Sequence, residues 1–354
     1  MIYNKINQTD IKTSLLSLGT MTFGAQNSYE QSAEMIDMAI DNGINFIDTA
    51  ELYPSPADEE HNAYHTEQFI GKWLNTSNVN RNDLVIVSKV MGPHNHEDEL
   101  SKVARPNKDP LSPTTITSSV DGILKRLNTD YIDVLLIHWP LRNANCFGVL
   151  GYDHKKENFD VEKQILDTIT TMDKLIKDGK IRHYGVSNET AWGLMKYIQL
   201  AENNNLPKPV VCQNPYSLLN RSYEVGCAEV SMREDIGLMS YSVLGGGVLS
   251  GKHINSIAKD SRLDLRPDYY GRYVKPQAIK ATKAYTELAN KHGIDPAIMA
   301  IAFVNEKDFN LTTITGSTKP QHLQTYIDSV NVKLSSELLA EIEEIHKQYT
   351  YPAP

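Results

Sequence analysis

What most constrains this chain is an alternation of two apolar patterns that runs nearly from end to end. Short, almost continuous apolar runs at 15–19, 45–49, 84–89, 131–137, 181–186, 210–213, 238–242 and 312–315 read as eight buried strands. Between them apolar residues recur at helical spacing. Over 28–42 these are Ala33, Ile36, Ala39 and Ile40, with Gly43 at the place of a C-terminal cap. A second helix is expected over 64–74. Ser112 caps a third, with Pro113 at its first position and a stripe of Ile116, Val120, Leu124 and Leu127. The next carries Ile165, Ile169, Met172 and Ile176 and stops at Gly179, and another is expected to start near Ser187 and Asn188. Two helices precede the last strand, one over 276–292 and one opened by Asp295 and Pro296; a final amphipathic helix covers 336–349. The polar opening to residue 14 reads as a hairpin.

Eight strand–helix units without a long linker predict a single domain over 1–354. The fold class is α/β, a (β/α)8 TIM barrel with an N-terminal hairpin, long βα loops and an extra C-terminal helix. A doubly wound open sheet also alternates, but it calls for a glycine fingerprint after the first strand. Gly19-Thr20-Met21-Thr22-Phe23-Gly24 lacks that spacing.

Composition narrows the partners. The net charge of −9 argues against nucleic acid or an anionic membrane surface. Cys146, Cys212 and Cys227 are odd in number and show no paired spacing, so neither a disulfide framework nor a zinc knuckle is expected. The first residues hold no apolar signal core and no run approaches ~18 apolar residues, so a cytoplasmic protein is the default. Core stripes cannot be told from exposed ones, which leaves the oligomeric state open, a monomer included.

Barrel strands aim the residues at their C-terminal ends toward one face. Asp48, Lys89 and His138 close the second, third and fourth runs, and Tyr53 follows Asp48 in the next loop. Each has a plain reading: a loop-capping carboxylate, a lysine reaching solvent, a hydrogen-bonded core histidine, a tyrosine packing the turn at Pro54. Together at consecutive strand ends they suit proton delivery to a carbonyl oxygen. A tyrosine titrating near ~10 needs help to act as an acid at neutrality. A neighbouring lysine is expected to lower it, an aspartate to hold that lysine charged, and a histidine to bond the substrate oxygen.

These residues lie in longer matches. The 19–24 segment, Asn45-Phe46-Ile47-Asp48-Thr49-Ala50-Glu51-Leu52-Tyr53, Ser88-Lys89, Ile137-His138-Trp139-Pro140, Gly179-Lys180-Ile181-Arg182, Gly185-Val186-Ser187-Asn188 and the stretch 241–252 resemble the aldo-keto reductase family. Residues 213–222 and 349–354 resemble its bacterial Tas-type NADP(H)-dependent members. The resemblance implies reduction of aldehyde, ketone or quinone carbonyls with NADPH/NADP+, with Tyr53 as proton donor and Asp48, Lys89 and His138 completing a tetrad. It also implies cofactor contacts from Thr20, Met21 and Asp48, from Ser187, Asn188 and Gln213 on the carboxamide, and from Tyr241 stacked on the nicotinamide. Ser240, Ser242, Val243, Leu244, Gly245, Gly246, Gly247, Val248, Leu249, Ser250, Lys252 and Arg262 match the family's cofactor-clamping loop. The glycine run also reads plainly as a flexible loop; after a strand it suits a close approach to a pyrophosphate.

Gly316, Ser317, Thr318, Lys319 and His322 match the place of the adenosine 2′-phosphate, where a helix opening at Gln321 would aim N–H groups at an anion. The family often has Arg or Gln at the position of His322 and Asn at that of Tyr326. Lys319 and Arg262 still supply positive charge, so NADPH is expected over NADH, though Lys319 also reads as a solvated surface lysine.

Two long loops, 91–111 with His94, His96 and Arg105 and 141–160 with Cys146, Phe147 and Tyr152, stand over the expected site. With Phe23, Trp139 and Tyr216 they are expected to shape an apolar mouth for a small carbonyl substrate. His94 and His96 suggest a metal-dependent hydrolase, but no strand-end ligand completes a sphere, so no metal is expected. A non-catalytic NADP(H)-binding regulator, resembling potassium-channel β subunits, is the alternative to an enzyme.

Overall fold

The computed structural model describes residues 1–55, 63–92, 111–149, 151–153, 155, 157 and 159–354. Tyr3–Lys5 (β1) and Lys12–Ser14 (β2) pair antiparallel as the expected hairpin. Eight parallel strands then close a barrel: β3 (Leu16–Gly19), β4 (Phe46–Asp48), β5 (Val85–Val90), β6 (Ile132–Ile137), β7 (Ile181–Ser187), β8 (Val211–Pro215), β9 (Gly237–Tyr241) and β10 (Asn310–Thr315). β10 pairs with both β9 and β3, which closes the ring. A Cβ on Gly19 would lie 2.3 Å from the Thr315 carbonyl oxygen, so this seam admits only glycine there.

Helices wrap the ring: α1 (Tyr29–Asp41), α2 (His65–Thr76), α3 (Pro113–Leu127), α4 (Val161–Lys177), α5 (Ala191–Asn203), α6 (Cys227–Glu234), α7 (Pro276–Lys291), α8 (Pro296–Asn305), α9 (Pro320–Ser329) and α10 (Ser336–Gln348). Their starts carry the expected chemistry. Ser28 and Gln31 form a reciprocal capping box on α1, and Ser112 and Asp295 accept backbone N–H bonds at α3 and α8. Among the described residues no helix is long and apolar enough to cross a membrane.

Four expectations change. The helix after β7 starts at Ala191, capped by Thr190, rather than near Ser187. Ser187 stays in the strand because its hydroxyl donates to the Gln213 carbonyl at 2.7 Å, and Asn188 turns left-handed at φ 56°. On α4 it is Leu175 rather than Ile176, and on α3 Ile123 rather than Leu124, that completes the buried face. α9 opens at Pro320, one residue before Gln321. The patterns also missed α6, whose buried face is only Cys227 and Ser231.

The two faces of each strand divide the core by the period of two. Outward residues such as Ile47, Ile86, Leu135 and Cys212 join the layer under the helices. Inward residues such as Phe46, Val85, Val87, Val134, Leu136, Val211 and Met239 fill the barrel, and Ile6 and Ile11 of the hairpin plug its N-terminal end. There Asp133, wholly buried, accepts from Arg81 at 2.8 Å, Arg182 at 2.7 Å and the Ile86 N–H at 2.9 Å.

Candidate active site

Carried two residues past the apolar filling, the same alternation brings polar groups inward at the C-terminal end of the barrel. Asp48 follows inward Phe46, Lys89 follows Val87, Gln213 follows Val211 and Tyr241 follows Met239. Asp48, Lys89, His138 and Tyr53 meet there, as expected, and all four are buried.

Lys89 organises the cluster. Its ammonium donates to Asp48 Oδ2 at 2.8 Å, to the Thr49 carbonyl at 2.8 Å and to Tyr53 Oη at 3.4 Å. An ammonium has three N–H groups, so this set uses them all and directs the phenol's own hydrogen elsewhere. Asp48 Oδ1 accepts from Gln213 Nε2 at 2.7 Å, so the carboxylate is held at both oxygens. The loop bringing Tyr53 back runs along β5, with Thr49 N–H on the Val87 carbonyl and Glu51 N–H on that of Lys89. The His138 ring stands edge-on to Tyr53, centroids 5.8 Å apart, and its buried Nδ1 has no hydrogen-bond partner.

Burial, then the lysine charge, pushes His138 well below the usual histidine value, so the ring is neutral near pH 7. Burial lowers Lys89 against the pull of Asp48. Tyr53 departs from expectation: burial, then the Asp48 charge, pushes the phenol well above the usual tyrosine value instead of below it. Enclosing the whole cluster outweighs the nearby ammonium, so Tyr53 stays protonated at neutral pH.

Beside the cluster, Asn188 Nδ2 donates to the His138 carbonyl at 2.8 Å and Tyr241 Oη donates to Asn188 Oδ1 at 2.6 Å. With Ser187 and Gln213 they form one polar shelf along the ends of β7, β8 and β9. Thr20 Oγ1 donates to the Asp48 carbonyl at 2.8 Å, and the Met21 carbonyl accepts the Ser55 N–H at 3.1 Å. Gly245, Gly246 and Gly247 all take positive φ (54°, 66° and 100°), a run that needs glycine. The side chains of Val243, Val248 and Leu249 are buried in the helix layer, so only their backbone faces the site. Ser240 is buried between β9 and β10, Ser242 turns left-handed, Leu244 packs on the core and Ser250 Oγ donates to the Gly247 carbonyl.

Four basic groups gather at the next turn of the ring. Arg262 donates to the Gly316 carbonyl at 3.2 Å, and Thr318 Oγ1 lies 3.2 Å from His322 Nδ1. Burial and then Lys252, Lys319 and Arg262 lower His322; burial and then Arg262 and Lys319 lower Lys252. Among the described residues no carboxylate pairs with Lys252, Arg262 or Lys319. Ser317 Oγ is buried there without a partner. Unpaired cations, an orphaned hydroxyl and glycine backbone suit a ligand with several negative charges.

The apolar mouth is built differently from expectation. Phe23 is core, and so is Tyr216, which stacks on Phe303 at 6.2 Å and bonds Glu224. Trp139 does line the mouth, against His138 at 4.9 Å and Phe147 at 6.1 Å. Sequence reasoning missed Tyr269, Tyr270, Arg272 and Tyr273, which lie near Tyr53 and Tyr241 on short helical turns at Pro267–Tyr270 and Gly271–Val274, the Tyr270 and Tyr273 rings buried. Their only signal was a dense Tyr-Tyr-Gly-Arg-Tyr cluster without periodicity. His94, His96 and Arg105 lie outside the described residues. Among the described residues no three His, Cys, Asp or Glu side chains gather as a metal site.

A sequence profile of the Aldo/keto reductase family matches residues 15–347. The chain is 44% identical over 354 residues to Protein tas of Escherichia coli strain K12, covering 100% of both. It is 29% identical over 359 residues to the uncharacterized oxidoreductase YrpG of Bacillus subtilis, covering 100% of this chain and 97% of the relative. It is also 27% identical over 354 residues to a probable voltage-gated potassium channel subunit beta of Arabidopsis thaliana, covering 98% and 96%.

Proposed function

The chain belongs to the aldo/keto reductase family, and from that premise we propose that it reduces aldehyde and ketone carbonyls, quinones among them, to alcohols with NADPH. The observation that carries this reading is the Lys89 ammonium, whose three N–H groups are used on Asp48, Thr49 and Tyr53. That leaves the phenol proton free for a carbonyl oxygen at the mouth. Tyr53 is the proton donor. Lys89 steadies the phenolate left behind, Asp48 keeps the lysine charged and placed, and neutral His138 bonds the carbonyl oxygen as charge builds on it.

NADPH supplies, when bound, the hydride that the carbonyl carbon takes up. Ser187, Asn188 and Gln213 would hold its carboxamide, Tyr241 its ring face and the backbone of residues 245–247 its pyrophosphate. Lys252, Arg262, Lys319 and His322 would take the 2′-phosphate, which is why NADPH is chosen over NADH. A cytoplasmic enzyme working as one barrel over 1–354 is part of this reading.

The test is steady-state turnover with 4-nitrobenzaldehyde at neutral pH. NADPH consumption matched by alcohol formation is the expected result. Tight NADPH binding without consumption would instead favour a nucleotide-binding regulator, the reading raised by the likeness to a channel β subunit.

A further inference from the structure

Most of the half-buried and buried arginines among the described residues pair with a carboxylate, whereas Arg262, in the basic pocket above, and Arg272, near the mouth, do not. Arg81 pairs with Asp133, Arg126 with Glu67, Arg142 with Glu189 and Arg221 with Glu224. Arg272 is half-buried too, yet its guanidinium donates from NH2 to the Tyr273 hydroxyl at 3.2 Å and lies 4.7 Å from that ring's centroid, and among the described residues no carboxylate pairs with it. A guanidinium carries five donors in a planar fork shaped for a carboxylate. An aromatic face and one hydroxyl compensate a partly desolvated guanidinium less fully than an anion would, and cations left without a counter-ion gather at sites that bind something.

Its surroundings say where that anion would lie. Tyr270 and Tyr273 pack on the glycine turn: a Cβ on Gly246 would stand 3.3 Å from a ring carbon of each. A Cβ on Gly148 would stand 3.4 Å from the backbone oxygen of Pro354 and 3.5 Å from Arg272 Cδ. The neighbouring Phe147 meets Trp139 edge-on, and Trp139 rests against His138. An aromatic wall therefore runs from His138, beside the Tyr53 phenol, through Trp139 to Phe147, whose neighbour Gly148 lies against the Arg272 side chain.

We propose that Arg272 anchors a carboxylate on the substrate, so that the site selects carbonyl compounds carrying an acid group across an apolar, ring-sized body from the carbonyl. The assignment rests on the reductase reading above. On a chain of net charge −9, one guanidinium at the mouth also supplies the local attraction that an anionic substrate needs.

The experiment compares kcat/KM for 4-formylbenzoate and for its methyl ester, which has nearly the same shape without the charge, in the wild-type protein, Arg272→Met and Arg272→Lys. A charge-assisted bond of ordinary strength predicts an acid-over-ester preference of about 10- to 100-fold in the wild type. Arg272→Met should erase that ratio, and Arg272→Lys should keep part of it. The ratio is measured within each protein, so a general loss of fold or activity cannot imitate the effect. Equal rates for acid and ester in the wild type, or a preference that survives in Arg272→Met, overturn the anchor and leave the reductase reading standing. If neither compound is reduced by the wild type while NADPH binds, the reductase reading fails and takes the anchor with it.

Discussion

Two aspartates lie at opposite ends of the same barrel, both buried, and they are held in different ways. At the N-terminal end Asp133 accepts from two arginines and a backbone N–H, and nothing around it is left over. At the C-terminal end Asp48 binds Lys89 and Gln213 as firmly, but the groups beyond them are left in suspense. The Tyr53 phenol receives only a 3.4 Å bond from the lysine, and His138 Nδ1 has no partner at all. A buried charge satisfied on every side fastens the fold. One whose neighbours keep a mobile proton and an unused nitrogen is arranged for a visitor. The contrast separates cost spent on stability from cost spent on chemistry within one architecture.

The sharpest way to break this comparison is to remove a charge at each end. Lys89→Met and Asp133→Ala should each destabilise by about 3–5 kcal/mol, the scale for leaving a buried ion without its partner. Only Lys89→Met should also abolish turnover by the folded fraction. Denaturant melts paired with steady-state rates decide it, and Asp133→Ala silencing the folded enzyme would erase the distinction. Next in size, Tyr53→Phe keeps the packed ring and should lower turnover at least ~100-fold, with melting temperature and NADPH affinity nearly intact. Wild-type rates in that variant would remove Tyr53 from its role.

Smaller effects sharpen the same contrast. Lys319→Ala should weaken NADPH about tenfold more than NADH, since only one of the two carries the extra phosphate. Equal losses in fluorescence titrations would refute that assignment. The smallest effect concerns acid. His138 is held well below its ordinary value of 6.5, so below that pH the unfolded chain takes up a proton that the native protein refuses. Its contribution is therefore full above about pH 6.5 and is lost on acidification, by at most about 1.4 kcal/mol per pH unit. His183, His253, His322 and His346 are lowered as well, so His138→Asn should flatten the slope only in part. An unchanged slope from urea unfolding would show that the ring is not held neutral.

How much of this could be read from the chain follows from periodicity. The barrel was legible because strand and helix patterns alternate, and the meeting of Asp48, Lys89 and His138 because each extends an inward-facing row by one step. Where no period operates, the reading failed. Tyr216 and Phe23 are expected at the mouth and lie in the core, because a sequence does not say which side of a loop an aromatic will face. The turn carrying Arg272 has neither stripe nor alternation, and α6 buries too little apolar surface to leave a signature. The direction of the Tyr53 shift depends on how completely its neighbours exclude water, which only the assembled loops determine.

The seam where β10 meets β3 has a consequence in time. All four residues of the Asp48–Tyr53–Lys89–His138 cluster are synthesised early, but the ring that encloses them waits for a strand beginning at Asn310. Asn27, in the loop after the first barrel strand, likewise donates to Thr318, just past the last. A growing chain on the ribosome thus holds these four groups long before it can shield them, and the basic pocket at Arg262, Lys319 and His322 is completed only after that last strand is made.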